Sequence, residues 1–257
     1  MDAHLSQRDL AEVERSAVEA RKIVLNPPYP EHIDRYLDPS ESSPFPLAYS
    51  FYLLGDVRGK TVLDLGCGSG ESVVPLIRRG AHVIAMDISA ELVGIAQRRL
   101  VASGMTATFK VGSAYETGLD DGSIDVIFCM SLIHHLDIAK VRNEMLRVLA
   151  PDGYIILKEP IRFSKSYAAV RNLLPAHHDI SGFEHPLTRD ELVTMMEPFN
   201  LEGLRYFRLP IVPMAIHWFP AANDTAWKLS AWVLRNWPAA TPYATSVAMR
   251  LRRRSST

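Results

Sequence analysis

Short apolar runs alternate with amphipathic stretches through most of the chain. The pattern predicts seven strands, at residues 61–65, 82–86, 107–111, 124–130, 154–158, 201–209 and 245–252. Helical periodicity occupies several of the intervals between them, at residues 72–79, 89–101, 138–149 and 189–198. The alternation therefore predicts an α/β fold, a doubly wound, mostly parallel seven-stranded sheet with helices on both faces.

Two segments depart from this alternation. Near the N-terminus, Leu10, Val13 and Ala17 begin an apolar stripe with helical spacing, and a loop rich in Pro and Ser follows. Before the last strand, an apolar insert holds all four Trp residues. We therefore expect an N-terminal helical lid (1–58), a cofactor-binding core (59–209), a helical insert or cap (210–240) and a last strand with a basic tail (241–257).

The aromatic insert admits several interpretations. It could cap a substrate pocket, form a dimer contact, lie on a membrane surface or pack on the sheet as a plain helical hairpin. The basic cluster that ends the chain (Arg250, Arg252, Arg253 and Arg254) is expected to be a solvated terminus or to meet an acidic surface.

Composition excludes some classes of protein. The 257 residues are 47% apolar and 22% charged, with a net charge of -1, which gives no general reason to expect a nucleic-acid partner. Cys67 and Cys129 form no Cys-x-x-Cys pair, so neither a disulfide framework nor a zinc ribbon is indicated. Because we find no apolar signal core and no run long enough to span a bilayer, we expect a cytoplasmic protein without a transmembrane segment.

A glycine-rich turn follows the first predicted strand, in the sequence VLDLGCGSG. Glycine has no Cβ, so Gly66, Gly68 and Gly70 let the main chain approach a ligand closely. The helix that follows directs free N–H groups toward the same place. Asp87 closes the next strand, where a carboxylate can accept hydrogen bonds from both hydroxyls of a ribose.

The spacing and the charge of this turn distinguish between nucleotide-like ligands. The G-x-G-x-G spacing differs from the G-x-G-x-x-G of dinucleotide-binding proteins. Asp64 also stands two positions before Gly66. Its charge would repel a pyrophosphate and would favour a ligand that carries an ammonium and a sulfonium.

This segment resembles motif I of the class I S-adenosylmethionine-dependent methyltransferases, and the chain most resembles their small-molecule, quinone-methyltransferase-like branch (type 11). The resemblance covers residues 59–160 and implies S-adenosyl-L-methionine as methyl donor. It also implies that Asp64 lies near the amino group of the donor, that Asp87 binds the ribose and that Ile88 flanks the adenine. Ser113 stands where relatives usually have an aspartate that accepts from the adenine. The full implied set is Asp64, Gly66, Cys67, Gly68, Gly70, Asp87, Ile88, Ser113, Ala114, Met130 and Ser131.

Candidates for chemistry follow the fourth and fifth strands, because ligands of such sheets bind at the carboxyl ends. His134 and His135 resemble a signature of small-molecule methyltransferases, and an imidazole suits a general base. One of the two could instead pack and cap the next helix. Glu159 could orient a substrate hydroxyl or a histidine. His185 is a reserve base, because its segment is similar to a loop that faces the active site in related enzymes.

A polar cluster at residues 177–185 shows no distinctive metal-ligand spacing, so no metal is expected. The sequence thus predicts a methyltransferase that acts on a hydrophobic small molecule, such as a quinone, polyketide, terpenoid or other secondary metabolite, with O-methylation favoured over C-methylation. A protein or RNA methyltransferase and a non-catalytic cofactor-binding protein are the alternatives. We expect a monomer or homodimer, without nucleic acid, for which peripheral membrane contact stays open.

Overall fold

The computed structural model describes residues 7–23, 33–164 and 185–254. Its strands are β1 (Thr61–Leu65), β2 (His82–Asp87), β3 (Thr108–Val111), β4 (Ile124–Met130), β5 (Leu149–Pro160), β6 (Phe199–Phe207) and β7 (Ser246–Arg253). They form one sheet in the order β3-β2-β1-β4-β5-β7-β6. Strand β7 is antiparallel to both neighbours, and the other pairs are parallel. The predicted doubly wound, mostly parallel seven-stranded sheet is confirmed.

Helices cover both faces of the sheet, as predicted. They are α1 (Gln7–Lys22), α2 (Asp34–Leu37), α3 (Pro46–Leu54), α4 (Val73–Arg78), α5 (Ala90–Ala102), α6 (Ile138–Val148), α7 (Arg189–Met196), α8 (Ile211–Trp218) and α9 (Asn223–Asn236). Side chains alternate between the faces, so Ile127 of β4 packs with α6 and α7, whereas Phe128 packs with α3, α4 and α5. The two apolar layers hold the strand ends in fixed positions.

Side-chain caps define where several helices begin. The Ser89 hydroxyl accepts a hydrogen bond from Leu92 N at the start of α5. Thr188 and Glu191 form a complete capping box at the start of α7, as their spacing predicts. Each cap of this kind stabilises a helix by about 1 kcal/mol.

The N-terminal segment divides into two parts. Helix α3, within the segment that the sequence predicts as a lid, adds the fully buried Phe51 and Leu54 to an apolar layer of the sheet. Helix α1 forms where its periodicity predicts, but it turns its polar face inward. Asp9 and Ser16 are buried, whereas Leu10 of the apolar stripe is 54% exposed. Helix α1 therefore covers a polar part of the molecule.

The aromatic insert forms α8 and α9 and packs beside the end of β6. The Trp227 ring lies 5.7 Å from the Phe45 ring, and Ser230 Oγ accepts a hydrogen bond from Leu209 N. The other three Trp side chains, at 218, 232 and 237, are more than half exposed. Among the helices of the described ranges, none has the length and hydropathy that a bilayer span requires.

Most of the basic cluster is part of β7, and only Arg254 follows the strand and is exposed. Arg250 and Arg252 both bind the carboxylate of Glu202, and the Arg250 guanidinium lies 3.8 Å from the centre of the Tyr154 ring. Arg253 donates to the carbonyl of Leu149. The antiparallel pairing of β7 places these side chains on the sheet.

Candidate active site

The three glycines after β1 all adopt left-handed backbone, with φ of 75°, 50° and 80° at Gly66, Gly68 and Gly70. Their surroundings differ. A Cβ on Gly70 would lie 2.7 Å from the Cβ of Ala96, and one on Gly66 would lie 2.9 Å from the side chain of Leu132. A Cβ on Gly68 would meet no atom within 4 Å. Gly70 therefore permits close packing on α5, whereas Gly68 borders open space.

Asp87 fixes the shape of this glycine loop. Its Oδ2 accepts a hydrogen bond from Gly68 N and its Oδ1 accepts one from Ser89 N, both at 2.9 Å. Burial raises the pKa of Asp87, and the negative charge of Glu12 also contributes to that rise. The carboxylate thus joins the loop to the start of α5 and keeps further acceptor sites for a ligand.

Asp64 is a buried acid with an unmet hydrogen-bonding capacity. It is 1% exposed, and no atom of the described residues donates to its Oδ2. Burial, and then the charge of Asp87, raise its pKa to about 8. A carboxyl group in this setting gains most from a cation nearby. The arrangement fits a ligand that carries an ammonium and a ribose between Asp64 and Asp87.

A cavity of about 380 Å³ lies over the glycine loop, at the carboxyl ends of β1, β2 and β4. Eight of the eleven residues that the sequence assigns to cofactor binding line it: Gly66, Cys67, Gly68, Asp87, Ile88, Ala114, Met130 and Ser131. Asp64, Gly70 and Ser113 are not among the lining residues. The volume is in the range of small-molecule sites.

Ser113 takes part in a local turn instead of facing the cavity. Its hydroxyl accepts a hydrogen bond from Tyr115 N at 3.2 Å. The neighbours on either side, Gly112 and Ala114, line the cavity. Main-chain groups are therefore what this turn presents at the place where relatives have an aspartate.

The end of β4 carries a strained residue. Ser131 has a φ of 58°, unusual for a residue with a side chain, and its N–H donates to the carbonyl of Lys158 at 2.6 Å. Lys158 itself lines the cavity, and burial lowers the pKa of its ammonium. Lys158 stands at the end of the fifth strand, where the sequence predicts candidates for chemistry, although no role is assigned to it there.

His134 and Glu159 form a buried structural pair. Glu159 is fully buried, and its Oε1 accepts hydrogen bonds from the N–H groups of Leu132 and Ile133. Its Oε2 lies 2.8 Å from His134 Nδ1. Neither side chain lines the cavity. These contacts hold the turn after β4 in shape, and the catalytic role that the sequence predicts for both residues stays a prediction.

Of the two adjacent histidines, His135 is the one that reaches the cavity. Its ring centre lies 3.9 Å from that of His134, so the buried pair supports it from behind. Its Nδ1 lies 3.3 Å from Oε2 of Glu12, a residue of α1. Adjacent histidines thus have different surroundings, one inside the turn and one on the cavity wall.

Helix α1 closes the cavity with polar side chains. Six of its residues line the space: Arg8, Asp9, Glu12, Arg15, Ser16 and Glu19. None of the six is among the site residues that the sequence predicts, because the periodicity shows an apolar stripe but not which face of the helix meets the cavity. Asp9 and Ser16 are buried, whereas Leu10, on a different stripe of the helix, is exposed. The stripe that holds Asp9 and Ser16 is therefore the one that meets the cavity.

His185 lies away from the cavity. Its Nε2 is 2.8 Å from Oε1 of Glu191, whose other oxygen completes the cap of α7. The structure therefore does not bring this reserve base to the other candidates. The rest of its predicted polar cluster lies outside the described residues. Within residues 7–23, 33–164 and 185–254 there is no group of three or more potential metal ligands.

Three features define a class I S-adenosylmethionine-dependent methyltransferase: the strand order with its antiparallel β7, the glycine loop, and the acids Asp64 and Asp87. The chain matches the family model described as a methyltransferase domain over residues 63–157. It is 30% identical over 181 residues to a ubiquinone biosynthesis O-methyltransferase of Aromatoleum aromaticum (strain DSM 19018 / LMG 30748 / EbN1). The alignment covers 66% of this chain and 75% of the relative. The chain belongs to this methyltransferase family, and S-adenosyl-L-methionine is its methyl donor.

Solved structures agree on the fold at low sequence identity. A geranyl diphosphate C-methyltransferase from Streptomyces coelicolor A3(2), solved with Mg2+, geranyl diphosphate and S-adenosyl-L-homocysteine, has a TM-score of 0.65 and 16% identity, over 98% of this chain and 100% of that one. The [4+2]-cyclase SpnF has a TM-score of 0.62 and 15% identity, over 100% and 99%. The chain is thus a small-molecule methyltransferase whose fold is shared by enzymes of different chemistry.

Proposed function

We propose that this enzyme transfers a methyl group to a hydroxyl oxygen of a hydrophobic small molecule. One observation carries the proposal: an imidazole and an apolar surface share the cavity with the glycine loop. His135 lies on the wall together with Leu47, Leu132 and Leu136. This combination suits an acceptor that offers an acidic hydroxyl on an apolar body, such as a phenol or catechol.

The residues of the chain divide the work between binding and proton transfer. When bound, the donor supplies a methyl group on a positively charged sulfur. Asp64, Asp87 and the glycine loop hold it, and the apolar wall aligns the acceptor with the methyl carbon. His135 accepts the hydroxyl proton as the oxygen bonds to that carbon, and the electron pair of the breaking sulfur–carbon bond stays on sulfur. The proton then leaves the imidazole for solvent, so charge and atoms balance.

The relatives support oxygen as the acceptor atom. The curated relative above is named as an O-methyltransferase of ubiquinone biosynthesis, and a second one, from Paraburkholderia xenovorans (strain LB400), carries the same name at 29% identity over 76% of its length. A proton acceptor on the cavity wall suits a hydroxyl more directly than an unactivated carbon. The limited cavity volume and the net charge of -1 favour a small acceptor over RNA or protein.

Methyl transfer to defined acceptors tests the proposal. The purified enzyme is incubated with trideuteromethyl-labelled donor and with 4-tert-butylcatechol, dodecyl gallate or an alkylated hydroquinone, and products are located by mass spectrometry and NMR. We expect a methyl ether. Labelled product on carbon alone, or on extracted RNA or protein but on no phenol, would refute it. Binding of S-adenosylhomocysteine without turnover on any metabolite pool would favour a non-catalytic role.

A further inference from the structure

Helix α1 contributes an acid to the wall that carries the candidate base. Glu12 Oε2 lies 3.3 Å from His135 Nδ1, which is within ion-pair distance but outside hydrogen-bond geometry, and the two side chains are 17% and 7% exposed. The other carboxylate oxygen, Oε1, accepts a hydrogen bond from Arg15 at 2.6 Å. A row of three side chains therefore runs from the helix into the cavity: the cationic Arg15, the anionic Glu12 and the imidazole of His135.

A carboxylate beside one ring nitrogen decides what the other nitrogen can do. A neutral imidazole carries one N–H and one acceptor nitrogen. A carboxylate near Nδ1 favours the proton there and leaves Nε2 as the acceptor. The same carboxylate stabilises the imidazolium that forms after proton uptake, and the guanidinium of Arg15 donates a hydrogen bond to Glu12 Oε1.

The neighbouring histidine cannot take this role. His134 Nδ1 is engaged with Glu159, which also accepts two main-chain hydrogen bonds, and the pair does not line the cavity. Its ring instead supports His135 at a centroid distance of 3.9 Å. Among the described residues, Glu12 is thus a carboxylate whose position matches a proton acceptor on the cavity wall.

We propose that Glu12 is the positioning residue for His135, so that the base is complete only when helix α1 lies over the cofactor loop. This inference rests on the proposed function, in which His135 accepts the hydroxyl proton. It also accounts for the polar side chains on the cavity side of α1, because that side carries Glu12 to the imidazole and Arg15 to Glu12. Helix α1 would then orient the imidazole of His135 when it packs over the cofactor loop.

Two substitutions separate orientation from charge. Glu12→Gln keeps a carbonyl oxygen that can accept from Nδ1–H, whereas Glu12→Ala removes both the charge and the acceptor. We expect kcat toward a catechol acceptor to fall about 100-fold for Glu12→Ala and about 10-fold for Glu12→Gln, within the range of general-base effects. The Kd for S-adenosylhomocysteine and the Tm should stay close to the wild-type values. Glu14→Ala, exposed on the same helix and outside the cavity lining, is the matched control and should change neither kcat nor Kd.

A double-mutant cycle tests whether the two residues act together. His135→Ala should lower kcat as much as Glu12→Ala does, and the double variant should be no slower. Losses that multiply in the double variant would overturn the inference. So would a tenfold rise in the Kd for S-adenosylhomocysteine with unchanged kcat, because Glu12 would then be a donor ligand.

One measurement is independent of the acceptor. Long-range ¹H–¹⁵N spectra of the imidazoles report which nitrogen carries the proton. In the wild type with S-adenosylhomocysteine bound we expect the Nδ1–H form of His135, kept in Glu12→Gln and lost in Glu12→Ala. An unchanged tautomer in Glu12→Ala would refute the positioning role even if methyl transfer proceeds. The expected tautomer change without phenol methylation would uphold the pairing and refute the proposed function.

Discussion

The cavity has two walls of different construction, the glycine loop between β1 and α4 and the polar face of helix α1. The loop wall consists of main chain in left-handed conformations, fixed by Asp87 through two main-chain hydrogen bonds. The helix wall consists of charged side chains on a segment that precedes the sheet in the chain. The loop wall is part of the folded core, whereas the helix wall forms only when α1 packs onto it.

The difference suggests a division between binding and activation. Groups that recognise the donor belong to the part of the molecule that cannot rearrange without loss of the core. Groups that would activate the acceptor depend on a helix that docks through polar contacts, which stabilise less than buried apolar area does. The following substitutions test whether the two walls are in fact independent, in order of decreasing expected effect.

The buried acid of the loop wall should control the pH dependence of stability. The pKa of Asp64 is raised from 3.8 to about 8 in the folded chain. The unfolded chain releases that proton at lower pH, so donor-free wild type loses stability as pH rises from about 4 to about 8. Asp64→Asn removes this loss, on the order of 5 kcal/mol for the full shift. Urea unfolding of both proteins at pH 5 and pH 9 measures this loss. If the difference in free energy of unfolding between wild type and Asp64→Asn were the same at both pH values, the raised pKa of Asp64 would be contradicted.

The next largest effect should come from the turn that supports both walls. Glu159→Ala leaves the N–H groups of Leu132 and Ile133 and Nδ1 of His134 without their shared acceptor. We expect the free energy of unfolding to fall by about 3–5 kcal/mol. Glu197→Ala, at an exposed ion pair, serves as the control and should stay within about 1 kcal/mol of wild type. A loss below about 1 kcal/mol for Glu159→Ala would mean that water replaces the carboxylate.

Donor recognition should depend on the clamp at the end of β2. Asp87→Ala removes the acceptor of two main-chain N–H groups and the acceptor that we propose for the ribose. We therefore expect the Kd for S-adenosylhomocysteine to rise about 100-fold, as for the loss of hydrogen bonds to a charged group. Isothermal titration measures it. Asp56→Ala, at an exposed ion pair outside the cavity lining, should bind as wild type does. Unchanged affinity in Asp87→Ala would place the ribose elsewhere.

The smallest effect is expected from two glycine substitutions in the loop, one that disturbs packing and one that hinders the approach of the ligand. A Cβ at Gly70 meets Ala96 at 2.7 Å, whereas one at Gly68 meets nothing within 4 Å. Both substitutions carry the cost of left-handed backbone, about 1 kcal/mol. Gly70→Ala should lose about 1–2 kcal/mol more from overpacking, and Gly68→Ala should mainly weaken S-adenosylhomocysteine binding. Paired unfolding and titration curves test this, and the reverse ranking of the two variants would contradict it.

The sheet could be predicted because its signals are local. Consecutive apolar positions in β4, the caps at Ser89 and Thr188 and the turn glycines each specify an element within a few residues of themselves. The donor site followed from one short motif, since main-chain geometry and two acids lie close in sequence to the turn they serve. Such signals need no knowledge of distant packing.

The acceptor side could not be predicted in the same way. His134 and His135 are adjacent in sequence, and only the single turn at Ile133–His135 sends one inward to Glu159 and the other to the cavity. Periodicity showed that α1 has two faces but not which face meets the cavity. His185 resembled a base by its loop, yet the capping box at the start of α7 binds it. These outcomes depend on contacts between segments far apart in the chain.

The position of β7 between β5 and β6 also bears on how the chain reaches its final state. Strand β6 has no partner in the sheet until β7, a strand made after it, is inserted beside β5. During synthesis the open edge of β5 is therefore exposed while the aromatic insert is already made, and unpaired edges promote association between chains. The arginines of β7, which bind Glu202 and cover Tyr154, would complete this closure, so a nascent chain that stops short of them is the form most exposed to aggregation.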